Sequence, residues 1–280
     1  MTSFGVVALW IARVVALSVL FVCGVYFFFP AQRIESEIMR ALETQRFSIT
    51  PGLHKTFLPG LGWERPVISS DKGALARCDR LRLHPCLLPL LSGRFVLNAT
   101  ALLGEGRLDA DYGVTGKQAL KLHIQGLGLG DIPFFKTVLG ARAGGTLWSE
   151  GSFTRGAKGL NGELKLEVQH LELSGVKLGA FPLPDVVNLH SQGMVRVTDD
   201  KARLESFTLQ GDAVYMRLSG NLPIGPTAVN APLDLVLEIM PKPAFLDSQK
   251  LVFLMLSKFM VSPGVYRVPV RGTLLAPEIL

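Results

Sequence analysis

The sequence predicts a mainly β protein in which a single N-terminal transmembrane helix precedes a curved antiparallel sheet, shaped as a gutter or half-barrel, with a few short helices. Three observations predict this class. Residues 1–30 contain one charged residue, Arg13, out of 52 in the chain. Later segments alternate apolar and polar residues with a period of two, as strands with one solvated face do. Glycine, at 29 of 280 residues, is scattered between these segments and supplies turns.

The N-terminal segment 4–29 is apolar throughout except for Arg13. About 20 helical residues cross the hydrocarbon of a bilayer, so this segment can span it, with Arg13 extending toward one surface while Val14 through Phe29 cross. The positive-inside rule then places the N-terminus in the cytoplasm and exports everything after Pro30. The sequence thus predicts a single-pass protein with a membrane anchor and cytoplasmic stub at residues 1–31 and a β domain at 32–280.

Two processing alternatives compete with a retained anchor. A cleavable signal peptide needs small residues at its cleavage site, and Phe29-Pro30-Ala31 offers a bulky one. The residues before Cys23 resemble a bacterial lipoprotein box only weakly, because Val22 occupies a position where such a box has a small residue. We therefore interpret Cys23 as an ordinary buried cysteine.

The elements that follow the anchor are short. Apolar residues spaced along Ala31–Glu43 predict an amphipathic helix, and Phe47 and Ile49 suggest a first strand. Leu81 and Leu83 alternate with basic residues in a further strand. Pro85–Leu91 is predicted to form one or two helical turns that end at Ser92-Gly93.

After Gly93 the period of two dominates, and about ten strands are predicted from it. They are expected to be antiparallel because their connections are too short for helical crossovers. Two later segments are predicted to be helical, Ile132–Ala141 and Ala244–Val261. The second is interpreted as a helix packed on the sheet, with a plug or a membrane-touching helix as the alternative.

An apolar face spread over ten strands must be covered, and periodicity leaves three solutions open: a sandwich, a closed barrel, or a gutter that holds acyl chains. The residues predicted to line this face as a candidate apolar groove are Leu108, Tyr112, Leu122, Leu164, Leu166, Val214, Leu218, Leu235 and Leu237.

Cys78 and Cys86 lie eight positions apart and are a candidate disulfide if this region is exported. Two free or partly buried thiols are an equal alternative. A metal site with nearby His84 would lack a fourth ligand, so neither a metal nor any other cofactor is predicted.

Catalytic motifs were sought and none was found. The glycine-rich segment Gly126–Gly130 lacks the lysine of a phosphate-binding loop, and the pairs Asp109/Asp111 and Asp199/Asp200 fit a solvated strand face and a turn. We therefore predict that the protein is not an enzyme. The net charge is +6, but the basic residues are interspersed with acidic ones, which disfavours binding to nucleic acid. Two explanations of the positive charge remain, attraction to anionic lipid headgroups and a solvated basic face with no partner.

One resemblance follows from the order of these elements. Arg80–Ala110 runs through a strand, a short helix that begins at proline, a glycine, a long strand and a hairpin framed by glycines. Segments that contain glycine recur at 126–135, 145–151, 162–164, 204–211 and 218–222, and Val270–Pro277 closes the series. This arrangement resembles AsmA-like periplasmic proteins, and with the chain length and the N-terminal anchor it is similar to the type II secretion system N protein family.

The resemblance implies a curved AsmA-like sheet in the periplasm, an anchor in the inner membrane, and a non-enzymatic accessory role in type II protein secretion through contacts with other subunits of that apparatus. The alternative is an AsmA-like lipid-binding or lipid-transfer protein of the cell envelope, with phospholipid in the apolar groove. The lipid bilayer and other secretion subunits are thus the expected partners.

Overall fold

The computed structural model describes residues 10, 13, 31–44, 46–56, 59–86, 88–89, 92–225 and 228–279. The predicted span, including Val14 and Phe29, lies outside these residues, and only Trp10 and Arg13 within it are described, both helical and exposed. In the part of the chain that is described, no helix is both long enough and apolar enough to cross a membrane. The predicted localisation as a single-pass inner-membrane protein is therefore wrong on this finding. The physical reason is that the longest helix described, of 14 residues, is amphipathic and shorter than the roughly 20 apolar residues a span requires.

Four short α-helices accompany the strands in the described chain. The first ends where Arg46 adopts a left-handed conformation (φ 63°), and the second ends at Gly140, which is left-handed as well (φ 63°). The helices are α1 (Ala31–Thr44), α2 (Phe134–Leu139), α3 (Pro243–Ser248) and α4 (Lys250–Met255).

The strands carry most of the described residues. They are β1 (Phe47–Ile49), β2 (Leu53–Lys55), β3 (Leu61–Glu64), β4 (Val67–Ser70), β5 (Gly73–Arg77), β6 (Arg80–Pro85), β7 (Val96–Leu103), β8 (Gly106–Gly113), β9 (Gln118–Gly128), β10 (Arg142–Arg155), β11 (Leu160–Ser174), β12 (Lys177–Leu178), β13 (Phe181–Pro182), β14 (Val186–Thr198), β15 (Lys201–Gln210), β16 (Val214–Leu222), β17 (Asp234–Pro241), β18 (Met260–Ser262), β19 (Val265–Thr273) and β20 (Ala276–Ile279).

Fifteen of these strands form one antiparallel sheet in the order β18-β19-β17-β16-β15-β14-β11-β10-β9-β8-β7-β6-β3-β2, with β20 also paired to β19. The order follows the chain almost throughout, as short hairpin connections require. The sheet is open, because its two ends do not pair with each other within the described residues. The predicted class, mainly β with a large antiparallel sheet and few helices, is thus confirmed at this level.

The strands predicted from alternation are present, and so is the early order of elements in Arg80–Ala110. β6, β7 and the β7–β8 hairpin follow one another as expected, and Leu88 and Pro89 are the helical residues described between them. Several strands of two to five residues were not predicted, because so few residues cannot establish a period. Phe47–Ile49 forms a strand as predicted, but it belongs to a separate sheet, β1-β4-β5.

The small sheet β1-β4-β5 is tied to the large one through α2 and the C-terminal hairpin. The Thr137 hydroxyl in α2 donates a hydrogen bond to the carbonyl oxygen of Ala74 at 2.6 Å. The Lys72 ammonium, in the β4–β5 turn, donates to the carbonyl oxygen of Leu275 at 2.6 Å. These bonds join segments that are 63 and 203 residues apart in the chain.

The predicted helix Ala244–Val261 is two helices, α3 and α4, that meet at Gln249, which lies outside helical geometry (φ −113°, ψ 28°). The prediction is wrong beyond α4, because a 3-10 turn follows at Ser257–Phe259 and Met260 and Val261 belong to strand β18. Phe253 and Leu256 are 4% and 0% exposed and belong to the main core. The interpretation that this segment packs on the sheet is therefore confirmed for the inward side of α4.

The candidate disulfide between Cys78 and Cys86 is not formed, and both cysteines are free. The six residues of β6 lie between them, and an extended strand rises about 3.3 Å per residue. The two Cα atoms are thus separated by far more than the roughly 7 Å that a disulfide allows. The structure agrees with the alternative interpretation, two free and partly buried thiols.

Candidate functional site: the apolar face of the large sheet

One face of the large sheet is a series of apolar rows that run across the strands, perpendicular to the chain. In the first row each residue faces the next through an antiparallel pair, from β3 to β20. Its members are Leu61, Leu83, Ala99, Ala110, Leu122, Gly151, Leu164, Val195, Leu204, Gly220, Leu235, Val270 and Ile279.

The second row lies two residues away along most strands and is therefore on the same face. Its one side chain with a hydroxyl, Ser149, is 5% exposed and donates to the carbonyl oxygen of Lys165 at 2.8 Å. The row consists of Trp63, Leu81, Ala101, Leu108, Ile124, Ser149, Leu166, Gly193, Phe207, Leu218, Leu237 and Val268.

A third row lies on the other side of the first, toward the end of the strands where β7 begins and β8 ends. It comprises Leu97, Tyr112, Leu120, Phe153, Gly162, Val197, Ala202 and Leu222. The three rows contain eight of the nine residues predicted to line the groove. Val214, the ninth, shares their face, because it lies two and four residues before Met216 and Leu218 in β16.

The nine predicted residues differ in burial. Val214, Leu235 and Leu237 are 2%, 6% and 7% exposed and belong to the main core, which also contains Phe253 and Leu256. This part of the face, on β16 and β17, is a packed interior. These three residues therefore stabilise the fold and do not line an open groove.

The remaining members of the predicted set lie on the part of the face that is not closed. Leu108, Leu122, Leu164, Leu166 and Leu218 are half-buried, and Tyr112 is 49% exposed. Five of these six residues lie on β8 to β11, in the middle of the sheet, and Leu218 lies on β16. We call the half-buried and exposed residues of the three rows on β6 to β11 the open apolar face.

Exposed aromatic and aliphatic residues lie at the end of the open apolar face where β7 begins and β8 ends. Phe95 and Val114, next to Tyr112, are 36% and 44% exposed. The guanidinium carbon of Arg155 lies 5.8 Å from the centre of the Tyr112 ring, an approach typical of a cation–π contact. Neither Phe95 nor Val114 was among the residues predicted to line the groove, although Val114 continues the alternation of Leu108, Ala110 and Tyr112.

The opposite face of the sheet is polar, and its hydrogen bonds link β7 and β8. The Asp109 carboxylate accepts bonds from the Arg107 guanidinium at 2.6 Å and from the Thr100 hydroxyl at 2.9 Å. The bond from Arg107 is the main cause that lowers the pKa of Asp109 below its usual 3.8. Asn98 binds Asp111 in the same way at 2.7 Å. Asp109 and Asp111 thus belong to a hydrogen-bond network on the surface. This agrees with the interpretation of the pair as part of a solvated strand face.

An aromatic side chain interrupts this polar face. Trp148 is 42% exposed, in register with Glu167, and borders a depression of about 410 Å³ that Lys165 and Met194 also line. Trp148 was not predicted as a functional residue. The sequence did contain a signal for Trp148, because it follows Leu147 and the alternation therefore places this aromatic residue on the polar face.

A polar cavity of about 570 Å³ lies where β11 and β14 both leave regular pairing. His170 and Asn188 have φ values of 52° and 51° there, a conformation that side chains disfavour. The other polar side chains that line it are Gln169, His190, Gln210 and Asp212. Across the described residues, no three His, Cys, Asp or Glu side chains are arranged to hold a metal ion, here or elsewhere.

The two cysteines lie at the two ends of β6. Burial is the main cause that raises the pKa of both thiols above 9.0, with the charge of Asp79 adding to it at Cys78 and that of Asp111 at Cys86. Both thiols are therefore protonated at neutral pH, and neither has the electropositive surroundings of a reactive cysteine.

No family model, curated protein or solved structure matches this chain.

Proposed function

We propose that this protein is a non-enzymatic accessory component of a type II protein secretion system and that its large sheet is the surface through which it binds its partners. The observation that carries the proposal is that the large sheet follows the order of the chain from β6 to β17, leaving out only the separate pair β12-β13, together with the glycine-framed units on which the resemblance rests.

The glycines in these units have a physical reason for being there. A Cβ on Gly162 would collide with the carbonyl oxygen of Ser152 in the neighbouring strand, and a Cβ on Gly220 would collide with that of Asp234. Gly145 stands at a register shift in β10, where a Cβ would lie 2.8 Å from the carbonyl oxygen of Gln169. Glycine is thus required at these positions because the backbone of the neighbouring strand leaves no room for a Cβ. This requirement supports the comparison with an AsmA-like curved sheet.

The experiment that tests the secretion role uses the producing organism. A strain that lacks the protein is expected to lose part or all of the export of a type II substrate, and the full chain is expected to restore it. A photo-crosslinking residue at Trp148, on the polar face, is expected to capture a subunit of the secretion apparatus, whereas one at Leu235, in the packed core, serves as the matched control. Normal export without the protein, together with no captured subunit, would contradict the proposal.

A second candidate function is supported by a different observation, the half-buried leucines of the open apolar face. Where β16, β17 and β19 carry the same rows, the α3–α4 segment closes the face into a core. On β8 to β11 the leucines Leu108, Leu122, Leu164 and Leu166 keep part of their surface accessible. Each methylene of an acyl chain laid on such a surface would contribute about 0.8 kcal/mol. We therefore propose lipid binding, in the manner of AsmA-like proteins, as the alternative role.

The lipid proposal is tested on the full chain purified in mild detergent. Organic extraction and mass spectrometry are expected to recover phospholipid from the parent protein and less from Leu122→Lys and Leu164→Lys. Val187→Lys is the matched control, because Val187 is 71% exposed and lies on the opposite face of β14 from the buried Val186. Equal lipid content in all four proteins would exclude the open apolar face as the binding surface.

A further inference from the structure

We propose that residues 250–261 form a contact site for the surface of an anionic lipid bilayer. The site consists of the exposed apolar side chains of Leu251, Leu254, Met255, Met260 and Val261, which we call the α4 patch. It is a different surface from the open apolar face, and contact of this kind needs no helix that crosses the bilayer.

The α4 patch is a consequence of how α4 is anchored. Phe253 and Leu256 point into the core, and the Phe253 ring lies 5.1 Å from that of Tyr266 in β19. Leu251, Leu254 and Met255 are spaced by three and four residues, so they share the outer side of the helix. Their side chains are 78%, 68% and 48% exposed.

Strand β18, which follows α4 in the chain, adds two further exposed apolar side chains, one on each side of this edge strand. Met260 and Val261 are 51% and 57% exposed, and all three residues of β18 are exposed at this edge of the sheet. A single exposed leucine needs no explanation, but five large apolar side chains exposed within eleven residues of chain indicate a contact surface.

The charges around the α4 patch favour an anionic bilayer over an apolar protein partner. Lys242, Lys250 and Lys258 are exposed, and Asp247 is the one acidic residue in the sequence 242–262. Lysines beside exposed leucines and methionines form the pattern of helices that lie in a membrane interface, where each cation near anionic headgroups contributes to binding.

Two of these lysines are held close to the apolar side chains. Lys250 lies four residues before Leu254 and so on the same side of α4. The Lys258 ammonium lies 4.7 Å from the centres of both the Phe181 and the Phe259 rings, which fixes its position at the C-terminal end of the segment. The patch therefore has a cation at each end.

The test places a polarity-sensitive fluorophore on the patch of the full chain, in which Cys23, Cys78 and Cys86 are replaced by serine. Leu254→Cys carries the label, and Val187→Cys, which is 71% exposed elsewhere, is the matched control. Vesicles of phosphatidylcholine with and without phosphatidylglycerol, each containing a brominated lipid, are then added. Contact of vesicles with any other part of the chain affects both labelled proteins alike, so the comparison isolates the patch.

We expect the label at residue 254 to shift its emission to shorter wavelengths and to be quenched by bromine on phosphatidylglycerol vesicles, while the label at residue 187 does neither. Lys250→Gln and Lys258→Gln should each weaken this response about fivefold. Equal behaviour of the two labels, an equal response on both vesicle types, or a shift that appears before vesicles are added would overturn the proposal. The last result would instead indicate a second copy or another part of the chain on the patch.

A measurement without substitutions guards against a cysteine-free chain that does not fold. Hydrogen exchange of the parent protein should slow in peptides from 243–262 when phosphatidylglycerol vesicles are added, with no change in peptides from 186–198. Unchanged exchange in both regions would overturn the proposal as well.

Discussion

The Phe253 ring packs against the Tyr266 ring with 5.1 Å between their centres, and this contact joins α4 to β19. Phe245 approaches Phe253 from α3 at 6.0 Å, so one side chain holds both helices on the sheet. The position of the α3–α4 segment, and with it the division of the apolar face into closed and open parts, depends on this cluster.

Replacing Phe253 with alanine should therefore destabilise the protein by about 3–5 kcal/mol, because a buried ring is lost from three contacting elements. Leu254→Ala is the control on the same helix, at a side chain 68% exposed, and should change the free energy of unfolding by less than about 0.5 kcal/mol. Urea unfolding followed by circular dichroism measures both. Equal stability of the two variants would mean that α4 is not held by its inward face.

An aspartate on the apolar face should be tolerated differently in its closed part and in its open part. At Leu235, which is 6% exposed, Leu235→Asp should cost about 4 kcal/mol or more, since it removes core packing and buries a carboxyl group. At half-buried Leu166 the same change should cost about half as much. Thermal melts of both, with Val187→Asp as an exposed reference, test the division of the face. If Leu166→Asp proves as costly as Leu235→Asp, the middle of the sheet is closed in solution.

The Asp109 carboxylate should make stability fall in acid. Its pKa is lowered in the folded protein, first by the hydrogen bond from Arg107, so its stabilising effect is complete above its usual value of 3.8 and is lost as the pH falls through the lower folded-state pKa. Asp109→Asn and Arg107→Gln should therefore both flatten the loss of stability below about pH 4. Glu105→Gln, exposed in the adjoining turn, is the comparison. An acid profile unchanged in Asp109→Asn would remove this pair as its cause.

The thiols of Cys78 and Cys86 should remain separate and slow to react. Because their pKa values are raised by burial, the thiolate fraction at pH 7 is small, and alkylation of the native protein should accelerate only above about pH 9. Alkylation after unfolding without a reductant should label both cysteines in full. Recovery of a peptide pair joined through Cys78 and Cys86 would show that β6 does not hold them apart.

Gly162 should not accept a side chain, although Gly144 in the adjacent strand should. A Cβ at Gly162 would lie 2.7 Å from the Phe153 Cα in addition to the collision with Ser152, so Gly162→Ala should destabilise the protein by about 1–3 kcal/mol. Gly144 in β10 is the matched control, because a Cβ there would meet only the Glu172 side chain, at 3.6 Å. Gly144→Ala should leave the melting temperature unchanged or raise it slightly. The reverse order of the two variants would contradict the strand register at β10–β11.

The alternation of residues determined the β class and the face to which Leu108, Leu164 and Leu235 belong, and the short connections determined the antiparallel order. The alternation could do so because side chains alternate along a strand whatever the strand pairs with. The inward residues of α4 were not predictable in this way, because Leu251–Leu256 is apolar throughout and offers no polar side. Most strands of two to five residues gave too little pattern to be found.

Only the tertiary structure decided which part of a uniform apolar face is covered. Leu166 and Leu235 carry the same alternation, but α4 packs near one and not the other, and that depends on contacts between residues far apart in the chain. It also showed that Cys78 and Cys86 are kept apart by a strand, which their spacing of eight left open. Local periodicity fixes the direction of a side chain, whereas burial depends on what other segments reach, and that information is not local.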